Sequence, residues 1–323
     1  MKKKYDKKVY LKRRIIIAST IVVSIATIIT LSINLNIFAK DNKAETLELA
    51  SDTLESNNSK DIKNANTDSS NDNNNASSKK MSKEELEQNI KNYMGKDITN
   101  LGLVYYDVTT GEKITFNENK KFLAASTVKV QMNVIAYDWV DKGKLKLEEK
   151  MSYNKNDYED GTGILQDQDK SKPFKIQDLL DYSILYSDNI ATNMIIRRLG
   201  GSKNLRTMVN NKFKIKMDTS GNYITPNGEF TILKYLYDNS NNDNYAHVID
   251  IMKKTIFHDR MDKYIPQEIT AHKTGDYDEY VNDVGIVFTE KPYILVAYTY
   301  NLQDGYEDIA RVSKMVYEYH LSK

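Results

Sequence analysis

The alternation of apolar and polar residues divides the 323-residue chain into four segments. Residues 1–14 are basic, and residues 15–39 carry no charge. Roughly 20 apolar residues suffice to cross a bilayer, and the basic flank of such a span belongs on the cytoplasmic side. Residues 40–81 are rich in Asn, Ser, Asp and Lys, with too little apolar surface to fold. We therefore predict a cytoplasmic segment (1–14), a transmembrane signal-anchor (15–39), a disordered tether (40–81) and a folded domain (82–323).

The apolar segment also predicts where the folded domain is located. A single anchor with a cytoplasmic N-terminus places residues 82–323 outside the cell and attached to its membrane. A cleaved signal peptide is the alternative, and the domain would then be secreted. The apolar core of a signal peptide is only about 7–15 residues long, so the length of residues 15–39 favours the anchor.

Within the folded domain, the periodicity predicts two strands, a helical middle, three further strands and a final helix. A capping-box pattern, Ser82 with Glu85, begins a first helix that ends near Met94. The predicted strands cover 101–108, 113–116, 269–273, 282–289 and 293–301, and the other helices cover 126–140, 176–186, 190–199, 226–237, 245–256 and 309–319. This order predicts an α+β fold in which the first hairpin joins the last three strands in one antiparallel sheet.

Composition excludes several classes of function. The chain has 46 Lys and Arg against 45 Asp and Glu, so its net charge of +1 gives no reason to expect a nucleic-acid partner. The absence of cysteine excludes disulfides and a thiol nucleophile. The four histidines lack metal-ligand spacing, so we predict no metal and no cofactor. We also predict a monomer.

The candidate chemistry begins at Ser126 and Lys129. Residues three apart lie on the same face of a helix, so the lysine amine can reach the serine hydroxyl. A serine needs a base to act as a nucleophile, and a lysine that has lost its proton is such a base. The spacing alone is a weak signal, because it recurs at Ser77 and Ser152 and because a serine at a helix start is often only a cap.

Two further triplets, Ser187-Asp188-Asn189 and Lys273-Thr274-Gly275, follow that pair along the chain. The ordered trio resembles the signature of class A β-lactamases and penicillin-binding proteins. The resemblance covers residues 83–323 and includes the segments 161–166, 176–180, 189–193, 225–226 and 282–285. It implies a three-layer α/β/α fold of the β-lactamase/transpeptidase type, with a five-stranded antiparallel sheet and an inserted helical lobe.

The resemblance implies four catalytic residues, which are Ser126, Lys129, Ser187 and Lys273. Ser126 attacks a lactam or peptide carbonyl and becomes acylated, Lys129 takes its proton, and Ser187 relays a proton to the leaving nitrogen. Lys129 must be neutral near pH 7, well below the usual lysine pKa of about 10.4. Burial lowers the pKa of an amine, and so does a second nearby ammonium, which Lys273 supplies.

The resemblance also implies the groups that bind substrate. Asn189 hydrogen-bonds the ligand's side-chain amide, and Lys273 with Thr274 binds the carboxylate that β-lactams and D-Ala-D-Ala peptides share. The backbone N–H groups of Ser126 and Asp276 form the oxyanion hole. Gly275 lets the strand come close to the ligand.

The sequence departs from the resemblance where the deacylating glutamate is expected. The stretch 199–226 contains no glutamate, and Asp218 is its one acid; Glu229 comes later, on a predicted helix away from the site. The usual arginine partner of the ligand carboxylate is also absent from the strand 285–289. Arg260 is the nearest arginine in sequence, and we predict that it is structural. His272 neighbours Lys273 on a strand, so we expect it to face away and pack.

Three hypotheses about function follow. The first is a membrane-anchored class A-type hydrolase that opens β-lactam rings slowly, because its acylation groups are complete and its deacylation base is not. The second is a DD-peptidase or transpeptidase similar to the PBP-A group, acting on D-Ala-D-Ala cell-wall peptides. The third is a β-lactam sensor that is acylated without turnover. A cytoplasmic segment of 14 residues is too short for a signalling domain, which argues against the sensor.

Overall fold

One antiparallel sheet of five strands organises residues 80–323, the part of the chain that the computed structural model describes. Its strands are β1 (Leu101–Asp107), β2 (Lys113–Phe116), β3 (Thr270–Tyr277), β4 (Tyr280–Val287) and β5 (Tyr293–Tyr300). Their order across the sheet is β2-β1-β5-β4-β3, and every neighbouring pair is antiparallel. The predicted union of the first hairpin with the last three strands is therefore confirmed.

Eight α-helices occur within the same residues. They are α1 (Lys83–Met94), α2 (Val128–Asp141), α3 (Ile176–Leu185), α4 (Asn189–Arg198), α5 (Ser202–Phe213), α6 (Pro226–Asp238), α7 (Asp243–Lys253) and α8 (Gly305–Leu321). Ser82 and Glu85 form the predicted capping box of α1. The α+β class and the five-stranded sheet are thus confirmed, with helices on both faces of the sheet.

The two faces of the sheet bury two separate cores. Side chains alternate along a strand, so Leu103 and Tyr105 of β1 pack with α1 and α8, while Val104 faces the helical lobe. In β5, Leu295 and Val296 divide in the same way. The larger core surrounds α2, where nine consecutive residues from Lys129 to Tyr137 are buried. A helix enclosed on all sides can hold its N-terminal residues rigidly.

One helix was not predicted, and one predicted strand boundary was wrong. Helix α5 was missed, although Leu205, Val209 and Phe213 recur every four residues and form its buried face. Strand β3 was predicted to end at Lys273 but extends to Tyr277, because its pairing with β4 continues through the hairpin.

The predicted cytoplasmic segment (1–14), transmembrane anchor (15–39) and most of the predicted tether (40–81) lie outside the described residues and stay predictions. No helix within residues 80–323 is both long and apolar enough to cross a bilayer.

A chain of buried polar groups connects the sheet to the helical lobe. Gln131 of α2 donates to Glu229 of α6 at 2.7 Å, and the hydroxyl of Tyr298 in β5 donates to the same carboxyl at 3.3 Å. Tyr298 also hydrogen-bonds Thr127 at 2.8 Å. Burial raises the pKa of Glu229 to about 7, although hydrogen bonds from Gln131 and Tyr298 oppose the shift. The sequence predicted that Glu229 lies away from the nucleophile; the structure shows its carboxyl buried and hydrogen-bonded to Gln131 and Tyr298.

Stability should fall as pH rises, because the folded state holds the Glu229 proton more tightly than the unfolded state does. The loss should begin near pH 4.5 and be complete above pH 7. At 1.36 kcal/mol per pKa unit it should be on the order of 3 kcal/mol. Thermal and urea unfolding at pH 5 and pH 8 measure it. Glu229→Gln should remove this contribution and so change the difference in unfolding free energy between pH 5 and pH 8, whereas Glu290→Gln, at an exposed turn, should leave that difference as in wild type; identical pH profiles for both variants would contradict the assignment.

Candidate active site

Ser126 lies in a 3₁₀ turn, Ala125–Thr127, that leads directly into α2. The turn begins at Ala125 with φ of 50°, in the left-handed region that non-glycine residues seldom adopt. Asn282 of β4 holds the turn by donating from Nδ2 to the carbonyl oxygens of Leu123 (2.9 Å) and Ala124 (3.3 Å). The Ser126 side chain is partly exposed, as a nucleophile must be.

Lys129, one turn further along the chain, is buried and aimed at the Ser-Asp-Asn triplet. Its Nζ donates to the backbone oxygen of Ser187 (2.6 Å), to Ser187 Oγ (3.1 Å) and to Asn189 Oδ1 (2.8 Å). None of these three hydrogen bonds is to Ser126. Ser126 and Lys129 therefore both lie at the start of α2. The Lys129 amine, however, is hydrogen-bonded to Ser187 and Asn189 at the start of α4 and not to Ser126.

Lys273 reaches the same hydroxyl from the sheet. Its Nζ donates to Ser187 Oγ at 3.0 Å and to the backbone oxygen of Thr274 at 2.8 Å. The side chains of Lys129, Ser187 and Lys273 are all at least 96% buried. The structure thus brings together three of the four predicted catalytic residues around the Ser187 hydroxyl, with Ser126 at the adjacent turn.

The two lysines have lowered pKa values. Burial lowers the pKa of Lys129 to about 7, against the opposing charges of Asp188, Glu159 and Asp276. Burial also lowers the pKa of Lys273, as do the positive charges of Lys129 and Arg260. At neutral pH a substantial fraction of Lys129 is therefore a free amine, which is what a general base requires.

The loop that precedes α3 fixes the Ser187 triplet in place. Ser187 has φ of 50°, and Thr162 donates from Oγ1 to its backbone oxygen at 2.6 Å. Asp188 caps α4 and accepts a second hydrogen bond from the Leu165 backbone N–H at 2.7 Å. A Cβ atom at Gly163, which has φ of 123°, would lie 2.3 Å from the Asp188 carboxyl carbon. The glycine is therefore required for this close contact.

Gly275 allows the outer strand of the sheet to touch the nucleophile turn. A Cβ atom there would lie 2.8 Å from the Ala124 oxygen and 2.9 Å from the backbone nitrogens of Ser126 and Thr127. Since β3 pairs only with β4 in the sheet, its other edge faces this turn with unpaired backbone groups. The peptide between Gly275 and Asp276 is therefore beside the Ser126 N–H, where the predicted oxyanion hole needs it.

The remaining predicted binding residues lie around this edge. Asn189 is half-buried beside Lys129, and Thr274 is buried in β3. The Asp276 carboxylate is half-exposed and pairs with the Arg260 guanidinium at 3.1 Å. Arg260 is buried, contacts the ring of Tyr306 and donates to the Asn282 oxygen at 3.2 Å. Its position in this network agrees with the predicted structural role.

His272 faces away from the catalytic lysines, as predicted, but it does more than pack. Its imidazole lies between the buried carboxylates of Asp283 (3.0 Å) and Asp262 (3.1 Å). Burial opposes a charged ring, yet the two negative charges outweigh it and raise the pKa of His272 to about 9. No local pattern in the sequence indicates this pairing, because the three residues meet only in the folded chain.

The stretch 199–226 places no strong base at the nucleophile. Asp218 is exposed, and its Oδ1 accepts hydrogen bonds from the Ser220 backbone and hydroxyl at 2.8 and 2.7 Å. These bonds lower the pKa of Asp218, which makes it a weaker base. Sequence reasoning missed Asn222, which donates to the Ala125 oxygen at 2.9 Å and leaves its buried Oδ1 without a hydrogen-bond partner among residues 80–323.

The fold and this arrangement of motifs define a serine hydrolase of the β-lactamase type. A sequence model of the Beta-lactamase enzyme family matches residues 85–320, and the chain belongs to that family.

Individual relatives are distant. Beta-lactamase VEB-1 of Pseudomonas aeruginosa is 22% identical over 268 residues, which cover 72% of this chain and 90% of VEB-1. The solved structure of PBP-A is 27% identical with a TM-score of 0.67, over 74% of this chain and 96% of PBP-A. A mutant of PBP-A, solved as an acyl-enzyme complex with penicillin G, is also 27% identical to this chain. Its TM-score is 0.66, over 74% of this chain and 97% of that chain.

Acylation should depend on the free amine of Lys129. The rate constant for acylation by a penicillin should rise about tenfold per pH unit below pH 7 and level off above it, because the fraction of neutral Lys129 does so. Lys129→Ala should lower the plateau by ~10²–10⁴-fold. Quench-flow mixing from pH 5 to pH 9, followed by intact-mass measurement of the acylated fraction, gives these rate constants. A rate constant that is flat from pH 5 to pH 8 would exclude Lys129 as the base.

Gly275→Ala should separate β3 from the nucleophile turn. The added Cβ meets backbone atoms that no side-chain rotation can move, so the predicted oxyanion hole should widen. We expect acylation to slow by ~10²–10³-fold, the usual effect of losing one oxyanion donor. Gly143→Ala is the control for backbone strain, since its φ of 67° disfavours alanine while a Cβ there meets no atom within 4 Å. Equal acylation rates for the two variants would show that the contact at Gly275 is unimportant.

Proposed function

We propose that this chain is a membrane-anchored, extracellular serine enzyme that β-lactams acylate at Ser126 and that releases the product slowly. The main support for acylation at Ser126 is the position of the Ser187 hydroxyl. Its Oγ lies 3.1 Å from Lys129 Nζ and 3.0 Å from Lys273 Nζ. A hydroxyl between two amines of lowered pKa can pass a proton from the Ser126 side to a leaving nitrogen.

In this mechanism Ser126 attacks the lactam carbonyl while Lys129 accepts its proton. The developing oxyanion is stabilised by the N–H groups of Ser126 and Asp276. Ser187 then donates its proton to the lactam nitrogen and regains one from protonated Lys129, 3.1 Å away, as the C–N bond breaks. Lys273 and Thr274 hold the substrate carboxylate, and Asn189 holds the side-chain amide.

Slow release follows from the groups beside the acylated serine. General-base assistance is worth ~10²–10⁴-fold, and the acids that could supply it are poorly suited. Asp218 is exposed and already accepts a hydrogen bond from the Ser220 backbone N–H. Glu229 is buried in the core, where it accepts a hydrogen bond from Gln131. The free Oδ1 of Asn222 can hold a water molecule, but an amide cannot take its proton.

A DD-peptidase acting on peptides that end in D-Ala-D-Ala is the second candidate. The lack of a glutamate in residues 199–226 favours it, and so does the likeness to PBP-A at 27% identity. Anchoring to the membrane would keep such an enzyme near the cell wall. Both candidates use the same acylation groups and differ in what removes the acyl group.

Intact-mass measurement of the full-length protein with excess penicillin G distinguishes the candidates. Wild type should gain the mass of one penicillin and keep it for minutes or longer, while Ser126→Ala should gain none. Rapid loss of the adduct with accumulation of penicilloate would contradict slow turnover and make Asp218→Asn the next variant to test. Release of D-alanine from a D-Ala-D-Ala peptide would favour the peptidase. Absence of any adduct would refute the role of Ser126. The same spectrum reports whether the N-terminal segment has been cleaved.

A further inference from the structure

A second cluster of ionisable side chains lies behind β3, on the opposite face from Lys273. It consists of His258, Asp262, His272 and Asp283, and the last three are fully buried. The side chain of His258 is 34% exposed and contacts Asp262 Oδ2 through Nδ1. The Nε2 atom of His272 lies 3.1 Å from that same oxygen. Two imidazole nitrogens therefore converge on one carboxylate.

Asp283 orients His272 for this convergence. The His272 Nδ1 atom is 3.0 Å from both carboxylate oxygens of Asp283, so Nδ1 carries the proton of that hydrogen bond. Asp283 is held in turn by the Met261 backbone N–H at 3.0 Å. A histidine that donates from one nitrogen to a carboxylate presents the other nitrogen as a directed ligand, and this arrangement recurs behind metal-bound histidines.

Two atoms of the cluster have unused bonding capacity. Within residues 80–323, His272 Nε2 and Asp262 Oδ1 are buried and have no hydrogen-bond partner. The 3.1 Å contact between Nε2 and the other oxygen of Asp262 lacks hydrogen-bond geometry. Buried polar atoms are nearly always bonded to protein, water or an ion, so both atoms have the capacity to bind a further ligand.

We propose that His258, Asp262 and His272 form a binding site for a divalent transition metal ion, with Zn²⁺ as the ion of matching chemistry. One ligand atom from each residue lies within 4.8 Å of the others. Two imidazoles and a carboxylate are a common zinc donor set, with bonds of about 2.0–2.2 Å. Ligand atoms of a tetrahedral site are then about 3.3–3.5 Å apart, so small side-chain shifts suffice. The ion displaces any proton on His258 Nδ1 or His272 Nε2. Because the His258 side chain is partly exposed, the ion can enter the site from solvent beside it.

The ion would be structural, since it would join the segment 258–262 to β3 beside the Lys-Thr-Gly motif. That segment carries Arg260, which pairs with Asp276. Phe257, just before it, lies under the Lys273 ammonium, 5.5 Å from Nζ to the ring centre. Metal bonds to His258, Asp262 and His272 would therefore fix the backbone on which Lys273 is mounted.

The test is zinc binding by the full-length protein in detergent, after removal of metal with a chelator. Calorimetry should show one Zn²⁺ per chain, and Co²⁺ should give the visible absorption of a tetrahedral site. His258→Ala should weaken Zn²⁺ binding at least tenfold and abolish the Co²⁺ band. His247→Ala is the matched control, because His247 is about as exposed (36%) and also pairs with an aspartate, Asp181 at 2.8 Å. It should bind both ions like wild type.

Absence of stoichiometric Zn²⁺ binding by wild type would overturn the proposal. Equal binding by the His258→Ala and His247→Ala variants would also overturn it, since the ion would then be held elsewhere on the surface. If His258→Ala does not fold, as judged by circular dichroism, His258→Gln replaces it, because glutamine keeps a donor for Asp262 but is a poor zinc ligand. Full zinc affinity in a folded His258→Gln protein would contradict the proposed site.

Discussion

The active site depends on two buried lysine amines sharing one hydroxyl group. Burying a charged ammonium is costly, and burying two within reach of one oxygen is more so, because the charges also repel. The protein offsets this cost by hydrogen-bonding Lys129 to the Ser187 and Asn189 oxygens, and Lys273 to the Thr274 oxygen. What remains uncompensated lowers both pKa values. The same electrostatic strain that opposes folding at this point produces the free amine that the chemistry needs.

The surrounding scaffold holds three elements together at the Ser187 hydroxyl. Helix α2 brings Lys129, the start of α4 brings Ser187, and β3 brings Lys273, so a shift of any one would break the shared contact. The spacing is set by backbone packing rather than by flexible side chains. The Asp188 carboxyl packs against Gly163, and the nucleophile turn packs against Gly275. In both places a Cβ atom would overlap with these neighbours. Asn282 then ties the turn to the sheet.

The sequence was informative wherever the signal was local or carried by an ordered motif. The alternation in β1 and β5 predicted the sheet, and the three motifs predicted which residues surround Ser187. Helix α5 was missed although Leu205, Val209 and Phe213 mark its face, because residues 199–226 were considered only as the stretch in which the deacylating glutamate is expected. The pairing of His272 with Asp262 and Asp283 could not be predicted, since it depends on how the segment before β3 packs against the sheet. The direction of the Lys129 side chain, towards Ser187, is likewise a tertiary property.

In the proposed mechanism, acylation and deacylation depend on different parts of this fold. The proposed acylation groups lie at the starts of α2 and α4 and on β3, which are buried and closely packed. The segment that would assist deacylation, residues 199–226, carries an exposed Asp218, and its Asn222 contacts the nucleophile turn. A change of one side chain in that segment would then alter the lifetime of the acyl-enzyme without disturbing the lysine pair.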